Sequence, residues 1–230
     1  MALAIASGAL AWTMQTEKSA LGPIGLVLAV WLVGGAAMDL WQRTGRGKLA
    51  NRFMRLWRLT RADWGRAVAH AGLGITMFGI TGMLAWETED IRVAQIGESF
   101  DVSGYTFTLD SVETGQGPNY LTTMADMLVS RNGREVTRLH PEKRSYPVAQ
   151  MPTTEAGIDS GVFRDIYLVI GDQQNDGGWA VRTYIKPFAN WIWAGAIIMA
   201  LGGFISLSDR RYRVAAGARR QRQGQGVPAE

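Results

Sequence analysis

Residues 67–86, AVAHAGLGITMFGITGMLAW, form an unbroken apolar run with no formal charge and one histidine, His70. At ~1.5 Å rise per residue, about 20 residues cross a hydrocarbon core of ~30 Å as a helix. Such a run predicts a membrane protein, and the remaining segments are constrained by that crossing. An ionisable side chain in this position is expensive to bury and normally has a partner. Helical spacing puts Leu73, Gly74, Met77, Thr81 and Leu84 on the face of His70. Gly74, one turn on, carries no side chain to block a flat ligand from lying against the helix. Two readings of His70 follow: a neutral imidazole bonded to a neighbouring helix, or an axial ligand to porphyrin iron, which needs an imidazole, a clear flat space and an apolar wall.

Two further runs are long enough to span, 22–40 with Asp39 near its end and the uncharged 188–207, while 2–14 falls short of a comfortable crossing. The short first run has no basic n-region and no convincing cleavage site, so it does not read as a signal peptide. The expectation is that the numbered chain begins inside, or near the end of, a longer membrane protein. Gly34, Gly35, Ala36 and Ala37 make a small-residue patch suited to close helix packing.

Charge sets the orientation. Residues 41–66 carry Arg43, Arg46, Lys48, Arg52, Arg55, Arg58, Arg61 and Arg66 against Asp63, and the tail 208–230 is rich in arginine from Arg210. Short basic loops stay on the cytoplasmic side. The polar middle therefore faces the opposite compartment, and residues 87–186 hold 15 acids against 9 bases. The sequence pI near 9.6 thus reflects membrane topology and not nucleic-acid binding. Arg52, Arg55 and Arg58, interleaved with Phe53, Leu56, Trp57 and Leu59, predict an amphipathic helix on the anionic inner leaflet.

From Ile91 the hydrophobic period changes to two. Residues 99–112 alternate through Phe100, Val102, Tyr105, Phe107 and Leu109, with Gly104 as a break. Asn132-Gly133 between 120–130 and 135–139 predicts a hairpin, because this pair supplies the positive φ values of a tight primed turn. Residues 161–171 and 178–185 form a second predicted pair. Five to eight short strands in about 100 residues imply a small antiparallel sandwich or partly open barrel. The predicted fold is thus membrane α-helical, with three full spans and a partial first one. Its parts are transmembrane helices in 1–40, a basic cytoplasmic loop in 41–66, the span 67–86, an inserted all-β periplasmic domain in 87–187, the span 188–207 and a cytoplasmic tail in 208–230.

The chain has no cysteine, which removes thiol relay, Cys-zinc sites and thioester chemistry. In the polar middle His140 is the only histidine, and no hydrolase constellation stands out around it. Glu142 and Arg144, two apart in the dense polar stretch 139–146, read either as a turn held by an ion pair or as a grip for a carboxylate.

Several of these stretches together resemble a known family. Trp64-Gly65-Arg66 through Ala69-His70-Ala71-Gly72, then Gly115-Gln116-Gly117-Pro118-Asn119-Tyr120, then His140-Pro141-Glu142-Lys143-Arg144-Ser145-Tyr146, and Lys186-Pro187-Phe188-Ala189-Asn190-Trp191-Ile192-Trp193 look like the C-terminal third of the CcmF family of cytochrome c-type biogenesis proteins, in the haem handling superfamily. The resemblance implies a bacterial inner-membrane protein that joins haem to apocytochrome c at a Cys-x-x-Cys-His motif on the periplasmic side. It implies that His70 is one axial ligand of a membrane b-type haem, with the second ligand on an earlier span outside this chain. The implied partners are the rest of the CcmF protein, CcmH-type and CcmE-type maturation proteins and apocytochrome c. The family's tryptophan-rich WWD segment, which receives haem from CcmE, has no counterpart here. This chain is therefore not expected to perform the ligation alone, being either a fragment or a split subunit. Two rivals remain: a non-enzymatic assembly scaffold whose β domain docks partner proteins, and half of a transporter, against which stands the lack of acidic groups at mid-depth.

Overall fold

The computed structural model describes residues 1–16 and 20–209. Glu17 and Lys18, expected in a tight turn, and the basic tail from Arg210 lie outside the described residues. Helices α1 (Ala2–Met14), α2 (Leu21–Arg43), α3 (Leu49–Leu56) and α4 (Arg61–Trp86) precede ten strands, and α5 (Ala189–Leu207) follows them. The helices up to Thr81 and from Trp191 form one compact unit, and residues 82–190 belong to another. By length and composition α2, α4 and α5 can each cross a membrane, and α1 is the shorter apolar helix.

In the helical unit, packing is set by glycine. Gly65, Gly72 and Gly79 of α4 recur every seven residues; Gly65 meets Gly202 of α5, Gly72 meets Gly195, and Gly79 lies against Ile192. A Cβ on Gly72 would stand 2.5 Å from the amide nitrogen of Met199 and 2.7 Å from the carbonyl oxygen of Gly195, so the two helices touch backbone to backbone. On the opposite side of α4, Ala67 joins Ala36 and Leu40 of α2 in a buried cluster. The helix α4 starts ahead of the apolar run because Thr60 caps it. The Asp63 amide donates to Thr60 Oγ1 at 3.2 Å, and Thr60 Oγ1 donates back to Asp63 Oδ2 at 2.7 Å. The predicted amphipathic helix is α3. It contains Arg52 and Arg55 but ends at Leu56, so Arg58 lies beyond it.

The β unit is an antiparallel sandwich. One sheet runs β1 (Thr88–Ala94), β10 (Trp179–Pro187), β9 (Arg164–Gln173), β8 (Gly157–Ser160). The other runs β2 (Ser99–Val102), β3 (Tyr105–Gln116), β4 (Leu121–Arg131), β6 (Glu142–Tyr146), β7 (Met151–Glu155), with β5 (Arg134–Leu139) also on β4. Alternate residues from both sheets, among them Phe107, Leu109, Met127, Ile166 and Leu168, are fully buried between them. The predicted Asn132-Gly133 hairpin forms at the β4–β5 turn and the predicted pair 161–171/178–185 forms as β9–β10, while the break at Gly104 is a further hairpin turn between β2 and β3, Ser103, Gly104, Asn132 and Gly133 all having positive φ. Two expectations need correction. Ten strands stand among the described residues, not five to eight, because β6, β7 and β8 are short and polar and show little alternation. For the same reason Glu142–Tyr146 is a strand paired on both sides, not a turn.

Candidate functional site

His70 lies on the face of α4 between its α2 contact and open surface, and its side chain is exposed. Nδ1 sits 2.8 Å from the backbone carbonyl oxygen of Arg66. A carbonyl only accepts, so Nδ1 carries the proton and Nε2 presents a lone pair away from the helix in the neutral ring. Beside it a groove of about 230 Å³ is walled by Trp31, Leu32, Gly35, Ala36 and Ala67, with Asp39 and Arg66 completing the lining.

The groove beside His70 is left open at Gly35, which the small-residue pattern assigns with Gly34 to packing. Gly34 and Gly35 have nothing within 4 Å of where a Cβ would sit. Gly74, expected to leave space for a flat ligand, is instead covered by α2: a Cβ there would stand 2.7 Å from Val33 Cγ2 and 3.0 Å from the Ala29 carbonyl oxygen. Gly34 and Gly74 edge a second, wholly apolar groove of about 400 Å³ with Phe78 and Trp191.

The polar lining belongs to a four-membered ion-pair network. Arg43 bonds Asp39 at 3.1 Å and Asp63 at 2.8 Å, and Arg66 Nη2 reaches the same two carboxylates at 3.0 and 3.3 Å. This network joins α2 to the first turns of α4. In the sequence alone Asp39 is only the acid near the end of a span and Arg66 a basic-loop and motif residue, and the two are not paired. The available signal was the Asp39/Arg43 pair four apart and the Asp63/Arg66 pair three apart, on the ends of two helices that the topology places at the same membrane surface.

In the β unit the two polar motifs of the sequence converge. The Gly117 amide donates to the Tyr120 carbonyl at 2.8 Å, and Tyr120 lies 5.6 Å from the Tyr146 ring. The Arg144 guanidinium stands 4.8 Å above Tyr120 and donates to Glu142 at 2.9 Å, while Thr122 Oγ1 donates to the same carboxylate at 3.0 Å. The hydrogen bond from Arg144 holds the Glu142 carboxyl below the usual range against the opposing effect of desolvation, and the Thr122 bond adds to it. His140 Nε2 lies 3.5 Å from Asp126 Oδ1, but Arg138 bridges Asp126 and Asp110 at 2.9 and 2.7 Å, so these groups form a salt-bridged patch. Among the described residues, no group of three or more His, Cys, Asp or Glu side chains could hold a metal ion.

Residues 85–187 match the family described as CcmF C-terminal beta-sandwich. The whole chain is 55% identical to the cytochrome c-type biogenesis protein ccl1 of Rhodobacter capsulatus, covering 34% of it. Over 95% of the chain, identity is 43% to the cytochrome c-type biogenesis protein CycK of Rhizobium meliloti, with 32% of that protein covered. Over 89%, identity is 38% to the cytochrome c-type biogenesis protein CcmF of Escherichia coli, with 30% covered. The chain thus spans about a third of the length of the curated relatives it matches. Among solved structures, a cytochrome c heme lyase CcmF shares the fold with a TM-score of 0.66 at 18% identity, over 90% of this chain and 33% of that one.

Proposed function

We propose, since the chain belongs to the CcmF family of cytochrome c-type biogenesis proteins, that it forms part of the membrane assembly attaching haem to apocytochrome c, with His70 as one axial ligand of a membrane b-type haem. The observation that carries this reading is the bond from His70 Nδ1 to the Arg66 carbonyl. It fixes the tautomer that exposes Nε2, the arrangement metal-ligating histidines use. The residues present fit such a group: one imidazole lone pair, a mainly apolar groove and Gly35, which leaves its floor open.

One histidine gives one axial bond, so a six-coordinate iron takes its other ligand from outside these residues. A haem held there supplies a reversible one-electron ferric/ferrous couple, suited to keeping the substrate haem reduced. The chain's own part is positional. The α4–α5 glycine seam holds α4 rigid, the ion-pair network pins it to α2, and Arg66 fixes the imidazole. The basic residues Arg43–Arg66 support a β unit on the periplasmic side of a bacterial inner membrane. There the Tyr120/Arg144 surface faces apocytochrome c, with CcmH-type and CcmE-type proteins as further partners.

The test is the spectrum of the native assembly containing this chain, purified in detergent. A b-type haem with bis-imidazole character, lost on His70→Ala while the polypeptide stays in the membrane, is expected. Unchanged haem content in His70→Ala removes His70 from the site, and a colourless native assembly leaves the scaffold reading in its place.

A further inference from the structure

We propose that the polar end of the groove beside His70 is a carboxylate-binding subsite built on Arg66. The site would thereby select a ligand with an apolar body and a free acid at its rim. The inference rests on the reading of His70 as a haem ligand and names the residue that orients the haem through its propionates.

Arg66 and His70 are one turn apart on α4, and residues at that spacing have Cβ atoms about 5–6 Å apart. Both line the same groove together with Asp39, and its remaining walls are Trp31, Leu32 and small apolar residues. Arg66 is the one cation among the residues lining it. Its Nη2 bridges Asp39 and Asp63, and among the described residues no acceptor is recorded for its Nε or Nη1. Both acids also receive a bond from Arg43, so their charge is met without all of the Arg66 donors. The side chain is 44% exposed. A guanidinium N–H to a carboxylate is about twice as strong as a neutral hydrogen bond. Anchored through Nη2 by two carboxylates, the fork is pre-ordered, which lowers the entropy lost when a further acid binds.

The experiment titrates the haem-depleted native assembly with haem b and, separately, with haem b dimethyl ester, whose carboxylates are blocked. The wild type is expected to bind the free acid about tenfold more tightly than the ester. Arg66→Gln is expected to bring that ratio close to one by removing the preference for the free acid, and Arg66→Lys to give an intermediate ratio, since it keeps a charge without the fork. Arg66→Gln keeps the backbone carbonyl that His70 uses, so the bis-imidazole character of bound haem should persist; any loosening of α4 from α2 weakens ester and free acid alike, and the ratio alone reports on the subsite. A wild-type ratio near one, or equal ratios in wild type and Arg66→Gln, overturns the proposal. His70→Ala separates the two ideas: if it binds both forms like the wild type, the ligand reading fails. If it binds neither while Arg66→Gln discriminates normally, only the subsite fails. Should Arg66→Gln not accumulate, the wild-type ratio and Arg66→Lys decide alone.

Discussion

His70 Nδ1 hydrogen-bonds the backbone carbonyl of Arg66 at 2.8 Å, within its own helix. The imidazole therefore needs no neighbouring helix to satisfy one nitrogen, and the other is left for a ligand. This departs from the usual account of a membrane histidine as interhelical glue, in which the ring bonds across to a second helix.

The glycine seam predicts position-specific intolerance. Gly72→Val puts side-chain atoms where Met199 and Gly195 backbone already lies and should cost about 1–3 kcal/mol, read as a lower unfolding temperature in detergent. Gly34→Ala, with nothing within 4 Å, should be neutral or stabilising by up to about 1 kcal/mol through helix propensity.

At the β4–β5 turn, Gly133 has φ +73°. Replacing it with valine should cost about 1–2 kcal/mol, because an L side chain in the left-handed region clashes with its own backbone. Denaturant unfolding followed by tryptophan fluorescence checks this, Trp179 lying against the sandwich core.

Leu168→Ala should be more damaging. Leu168 is fully buried between the sheets, and truncation there should cost about 2–5 kcal/mol, visible as a lower denaturation midpoint.

Acid sensitivity should concentrate on two carboxylates. The Arg144 hydrogen bond lowers the Glu142 pKa from its ordinary 4.5, and the Arg92 hydrogen bond lowers that of Asp90 from 3.8. A carboxyl depressed in the folded state stabilises above its unfolded pKa, and that contribution disappears as pH falls through the folded value. Unfolding temperature should therefore drop below about pH 4.5. Glu142→Gln should flatten part of that drop and leave the slope near pH 7 unchanged.

The sequence carried the fold wherever one pattern dominated. Uniform apolar runs marked α2, α4 and α5, and alternation with Asn132-Gly133 marked the β3–β4–β5 meander. It failed where register or partners decide. Strand β6, EKRSY, has no apolar face and is a strand because β4 and β7 pair with it. Thr60 and Asp63, read as loop, cap α4. At the site His70 was legible because a lone histidine in an apolar run is conspicuous. The jobs of Gly34, Gly35 and Gly74 were not, since a glycine's lack of a side chain serves close packing and open space equally, and only the neighbouring helix distinguishes them.

The central claim is a bond between the His70 imidazole and iron, and it is tested most directly by cavity rescue in the native assembly. The account predicts that His70→Gly abolishes the b-type Soret absorbance and that added imidazole restores it with its low-spin character. A His70→Gly spectrum identical to wild type without imidazole would contradict it.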